Sequence, residues 1–232
     1  TSQSAISISG DLTITNGAVY NHASTVLLTV DGNVDTSGTL DTSVGGNHSF
    51  GSMTIQNSGT YSATSGTTTI TSYSGTTAFN NNGTFTHNNG ELLFTSNTNV
   101  NTYLGGDDLY DLGINDDGVT QTKIQLYAEG GNVTNSVTVN GMDGGTGALL
   151  QCKDDIVIST ATITSGRFYV DTNEVTLGTT SVASGQKIGM WSGGTFTFTD
   201  GSTLTNNGTV DPDSGGDHAT IQGEVGGQFT FT

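Results

Sequence analysis

The feature that most constrains this chain is the shortness and strict alternation of its apolar runs. Ala5-Ile6-Ser7-Ile8, Leu12-Thr13-Ile14-Thr15, Met53-Thr54-Ile55, Val137-Thr138-Val139, Ile156-Val157-Ile158, Val175-Thr176-Leu177 and Thr195-Phe196-Thr197-Phe198 recur along it. A period of two sends successive side chains to opposite faces, so each run reads as a strand of three to five residues. Pairs such as Asp31-Gly32, Asn82-Gly83, Asn89-Gly90, Asp117-Gly118, Asn140-Gly141, Asp200-Gly201 and Asn207-Gly208 fall between the runs and read as turns. No window carries the i, i+3, i+4, i+7 apolar stripe of a helix. The chain is expected to be all-β.

Spacing selects among all-β architectures. Ile114 to Val137 is 23 residues, Val137 to Ile156 is 19, Ile156 to Val175 is 19, and Val175 to Phe196 is 21. A unit near 20 residues is the length of one coil of a parallel β-helix, in which two or three short strands per coil stack on those of the next. Such a solenoid needs only a few inward Ile, Val, Leu or Phe per coil, and corner residues tolerant of left-handed backbone. Runs such as Asn80-Asn81-Asn82, Asn88-Asn89 and Asn206-Asn207 would stack as ladders at those corners. The reading is one solenoid domain over residues 1–232; a Greek-key β-sandwich is the alternative.

Composition fits an ordered chain with a narrow core. Hydrophobic residues make up 31%, alongside 35 glycines. A single proline and 17 aromatic residues set the chain apart from disordered sequences. No run approaches the roughly 18 apolar residues of a membrane span. Asp and Glu number 21 against 4 Lys and Arg, for a formal net charge of -17. Four cations cannot supply the phosphate neutralisation on which nucleic-acid binding rests, so no nucleic-acid partner and no membrane insertion are expected, and an anionic membrane is a poor candidate partner. Such a charge favours solubility and invites divalent cations. The one cysteine, Cys152, allows no internal disulfide and sits in an apolar run as a buried structural thiol.

The chain opens on Thr1 and closes on the strand-like Gln228-Phe229-Thr230-Phe231-Thr232, which suggests a segment of a longer chain or assembly. The stretch Gly83-Thr84-Phe85-Thr86-His87-Asn88-Asn89-Gly90-Glu91-Leu92-Leu93-Phe94, followed by Leu109-Tyr110-Asp111-Leu112-Gly113-Ile114-Asn115, resembles a unit of Thr/Asn/Gly-rich repeat proteins. These are similar to bacterial surface (adhesin-like) proteins and to bacteriophage fibre and coat proteins. The resemblance implies a right-handed β-helix with a structural or adhesive role.

Candidate chemistry is sparse. Acids cluster at Asp107-Asp108-Asp111, Asp116-Asp117, Asp154-Asp155 and Asp211-Asp213-Asp217. Neighbours on a strand face opposite ways, so a sequential Asp pair is not a catalytic pair by itself. The bases Lys123, Lys153, Arg167 and Lys187 form no recognised arrangement in sequence, and the chain is read as non-catalytic. Calcium is the one candidate cofactor, with Asp211, Asp213 and Asp217, or Asp107 and Asp111, as ligands. The run from Asp211 has acids at the first and third positions of an EF-hand loop and Gly216 at the sixth, but Gln222 stands at the twelfth, where Glu is required. His22, His48, His87 and His218 lack zinc-site spacing. Trp191, Tyr127 and Tyr169 are the candidate sugar-stacking aromatics. The Thr-x-Thr runs do not recur in register over many coils, as an ice-binding ladder requires.

These readings point to a structural component of an extracellular assembly. A virion fibre, coat or decoration protein and a bacterial surface filament or adhesin both fit, self-associated or joined to other structural subunits. The alternative is a carbohydrate-binding or carbohydrate-cleaving β-helix module, with cell-surface glycans as partners.

Overall fold

A computed structural model describes residues 5–22, 25–71, 76–95, 99–116, 122–141, 147–191, 193–211, 220–223 and 228–231, with side chains described as far as Asp211. Every described element is a strand, and every described strand pairing is parallel. The chain is a β-solenoid of about 22 residues per turn. Parallel neighbours satisfy each other's backbone N–H and C=O groups, so each coil is completed by those above and below it.

Three strand positions per turn generate three faces. On the first face, one inward column runs Ile6, Leu28, His48, Thr68, Leu92, Leu112, Val137, Ala161, Thr180 and Leu204. A second runs Ile8, Val30, Phe50, Ile70, Phe94, Ile114, Val139, Ile163 and Val182. On the second face, Leu12, Val34, Met53, Phe79, Thr102, Leu126, Cys152, Val170 and Met190 align inward. The third face begins as a separate four-stranded sheet of Val19–Asn21, Thr39–Asp41, Thr60–Ser62 and Thr84–Thr86. In later coils it is formed by the first halves of long bent strands such as Ile156–Ile163 and Glu174–Val182.

Those bends correct the sequence register. Ile156, Val175 and Phe196 do share a column. Ile114, however, pairs with Val139, and Val137 pairs with Leu112 and Ala161. Val133–Gly141 and Ile156–Ile163 each carry two columns on one strand, with a register shift between them. Counting from one apolar residue to the next therefore hopped between faces.

The corners are built from side chains that reach across coils. Asp11 Oδ1 accepts from Asn33 N at 2.8 Å, Asn47 Oδ1 from Thr67 N at 3.0 Å, and Asp108 Oδ1 from Asn132 N at 2.8 Å. Asn132 Oδ1 then accepts from Val157 N at 3.0 Å, and Asp155 Oδ1 from Glu174 N at 2.8 Å. Each bond supplies a partner to an amide that leaves the ladder at a turn. The runs of consecutive Asn do not form the expected ladders. Asn81 points inward and donates to Leu104 O and Asp107 Oδ2, whereas Asn88 and Asn89 hold left-handed corners at φ 47° and 62°.

Candidate functional site

The second face carries the concentrated chemistry, on the outward positions of strands Lys123–Tyr127, Leu149–Cys152, Arg167–Val170 and Lys187–Met190. Register aligns Lys123, Leu149, Arg167, Lys187 and Thr209 in one row. The next row holds Gln125, Gln151, Tyr169, Gly189 and Asp211. A third begins with Tyr103 and Tyr127 and continues through Lys153, Asp171 and Trp191, each placed just past a strand end. All four Lys and Arg residues of the chain therefore meet on one face.

The aromatic groups are held by this register. Tyr169 and Trp191 stack with centroids 5.2 Å apart and planes 27° from parallel. Gly189 makes room for them: a Cβ there would lie 2.2 Å from Tyr169 Cε1. The Tyr169 hydroxyl reaches Asp211 Oδ2 at 3.5 Å, and burial together with Asp211 raises its pKa above the ordinary tyrosine value. The Lys123 ammonium stands 5.7 Å from the centre of the Trp191 ring, within cation–π range. Burial, reinforced by the nearby Lys153 charge, lowers the Lys123 pKa from the ordinary lysine value. Tyr127 stacks instead on Tyr103, at 4.6 Å and 17°, and stands about 14 Å from Trp191 along the axis, three strand spacings away. The structure thus joins two of the three predicted aromatics and leaves Tyr127 on the same face with another partner.

Cation pairing on this face is incomplete. Lys153 pairs with Asp171 at 2.5 Å and Lys187 with Asp211 at 3.7 Å; among the described residues these are the ion pairs present. Gln151 is fully buried; its Oε1 accepts from Gln125 Nε2 at 3.2 Å, while its own Nε2 has no hydrogen-bond partner.

Of the candidate calcium ligands, Asp107 and Asp111 are engaged by donors of the chain itself. Asp107 Oδ2 accepts from Phe85 N at 2.6 Å and Asn81 Nδ2 at 2.9 Å. Asp111 Oδ1 accepts from Ser136 Oγ at 2.5 Å and Asn135 Nδ2 at 2.8 Å. Asp211 lies on the cationic face, while Asp213 and Asp217 lie outside the described residues. Among the described residues, no three His, Cys, Asp or Glu side chains gather closely enough to hold a metal ion. Asp155 and Glu174, from successive coils, line an open depression of about 290 Å³ with Asn132, Ile156, Val157 and Thr176. Glu174 Oε1 there accepts from Thr197 Oγ1 at 2.5 Å.

Two further groups are core features. Cys152 is buried and its thiol is pushed far up by burial, as a structural thiol would be. His22 and His48 meet edge to face at 5.2 Å, and His48 Nδ1 accepts from Leu28 N at 3.2 Å. His48 is held neutral, its pKa lowered to about 4 first by burial and then by His22.

No protein-family model, curated protein or solved structure matches the chain. Its function must be argued from the geometry.

The gathering of the cations is the feature that linear reading missed. Lys123, Arg167 and Lys187 look scattered until the strands that carry them are aligned, when they fall into one row.

Proposed function

We propose that the chain is a non-catalytic structural component of an extracellular assembly, of the virion fibre, coat or decoration type or the bacterial surface filament or adhesin type. It serves there as a stiff scaffold for attachment or assembly. The observation that carries this reading is the continuity of the inward columns: the same interior positions stack from Ile6 through Leu204. A fold in which each coil needs its neighbours has an extended form and resists bending along its axis. The acidic surface keeps such a scaffold soluble. Self-association is part of the proposal. Parallel coils of this kind pair edge to edge through their backbone groups, the means by which subunits of such a scaffold would join.

Electron microscopy of the purified chain, followed by antibody labelling of its native source, tests this. Rods or filaments, and label on a virion or a cell envelope, are expected. A compact monomer that turns over a glycan would overturn it.

A carbohydrate-binding module is the second reading. The stacked Tyr169–Trp191 pair favours it, because such rings offer an apolar face with a polar edge.

A further inference from the structure

We propose that the cationic face binds a carboxylated glycan, with Lys123 and Arg167 as donors and Trp191 as the aromatic wall. This goes beyond the scaffold role by giving the scaffold a ligand, and it deepens the carbohydrate-binding reading of the same face by naming the sugar class.

Unused charge is the first argument. The chain has 21 acids available to 4 cations, yet among the described residues Lys123 and Arg167 form no ion pair. In so acidic a chain, two cations on a shared row that make no direct ion pair, although Asp171 lies near Lys123, amount to a positive site within a negative surface. Gln151 adds an independent observation. Its Nε2 is buried with no acceptor, and it lies in the row beside that of Lys123 and Arg167, between Gln125 and Tyr169. It lies beneath the surface of the face, so it marks a local cost of about 1–3 kcal/mol under the cationic row and not a contact with the ligand.

Spacing and shape argue for a sugar polymer. Lys123 and Arg167 are two strand spacings apart, about 10 Å, and Lys187 stands one spacing, about 5 Å, beyond Arg167. The Lys123 side chain runs along the axis to set its ammonium beside Trp191, so the cationic heads gather toward the Arg167 and Trp191 end of the row, where a linear sugar chain lying along the solenoid axis would bring its carboxylates. Arg167 offers a two-pronged donor suited to a carboxylate, and Lys123 a compact charge beside Trp191. The half-buried Trp191 supplies the apolar surface on which sugar C–H groups pack. A second copy of this chain is the competing source of carboxylates. Its formal charge of -17 repels the first copy as a whole, whereas a thin glycan brings its charge to this face alone.

Trp191 is the only tryptophan, so its fluorescence reports on this face directly. The purified chain is titrated with oligogalacturonate and with its fully methyl-esterified form, at low salt and at about 1 M NaCl, where charges are screened within about 3 Å. A saturable change with the acid form, lost with the ester and in high salt, is expected. Arg167→Gln and Lys123→Gln are each expected to weaken binding about tenfold, with thermal melts showing which variants stay folded. No saturable response to the acid form, equal binding of the ester, or unchanged affinity in both folded variants would each overturn the proposal. So would sedimentation showing a wild-type oligomer that Arg167→Gln dissociates, since the face would then join copies. Loss of all sugar binding would leave rods in the electron microscope untouched, so failure here is distinguishable from failure of the scaffold reading.

Discussion

Along one outward row of the second face, the early coils present Asp35, Thr54 and Asn80, while the later ones present Tyr103, Tyr127, Lys153, Asp171 and Trp191. The inward neighbours of the same strands change far less: Val34, Met53 and Phe79 give way to Leu126, Cys152, Val170 and Met190. Stacking disciplines the inside, because every side chain there must fit the ones above and below. The outside is free to differ, and four successive strands of this face, from Lys123–Tyr127 to Lys187–Met190, use that freedom to hold or flank every cation of the chain.

If the inward columns are what the two regions share, emptying them should cost both regions heavily. Phe50→Ala in the early coils should lose about 3–5 kcal/mol and Leu126→Ala in the later ones about 2–5 kcal/mol, since both side chains are essentially fully buried. Denaturant unfolding followed by circular dichroism checks this. A single transition that moves in both variants supports one continuous column. If Phe50→Ala creates an early transition while the late coils stay put, the regions are separate folding units.

The outward rows should respond differently at glycines that look alike in sequence. At Gly189 an added Cβ would collide with Tyr169, whereas at Gly10 nothing lies within 4 Å. Gly189→Ala should cost about 1–3 kcal/mol as the Tyr169 ring is driven off its place, and should shift Trp191 emission. Gly10→Ala should be near neutral in both readouts. Thermal melts paired with fluorescence spectra decide, and an unshifted emission in Gly189→Ala would show that the aromatic pair does not depend on that gap.

Much of this was legible in the sequence, for a definite reason. Alternation of Ile, Val and Phe with Thr is a local property, so Ile156–Ile158 and Val175–Leu177 could be read as strands and even as stacked partners. The identity of the corner residues was legible too, since Asn88 and Asn89 occupy backbone that few other side chains tolerate. What failed was register across a bend. Val133–Gly141 passes from one face to another within a single strand, and the polar step Thr134-Asn135-Ser136 that marks the change of column carries no glycine or proline to announce it. The cationic row was hidden for the same reason. The step from Lys123 to its partner Leu149 is 26 residues, that from Leu149 to Arg167 is 18, and that from Arg167 to Lys187 is 20. No fixed period finds such a row; only the pairing does.

Acid should separate the two regions further, because the buried imidazole lies in the early coils. His48 is neutral in the folded chain down to about pH 4, while unfolded histidine takes its proton near 6.5. The unfolded state therefore binds more protons between those values, and stability should fall as pH drops from 6.5 toward 4, then level off for this group. Solvent screening holds the loss to about 1–2 kcal/mol. His48→Phe should remove that component, so the difference between the two melting curves at pH 7 and pH 4.5 measures it. Equal pH dependence in both proteins would show that the early coils take up the proton elsewhere.

The smallest effect is expected at the looser of the two ion pairs in the later coils. Lys187 and Asp211 sit 3.7 Å apart with side chains 45% and 28% exposed, and an ion pair so open to water is worth about 0–1 kcal/mol. Lys187→Gln should therefore leave the melting temperature within about a degree or two, even though it removes one of only four cations. If the variant instead melts much earlier, the pair is a clamp between coils, and the cationic row has a structural cause of its own. If stability holds, the row is not explained by holding the solenoid together, and its charge is left to act outward, on whatever the face meets.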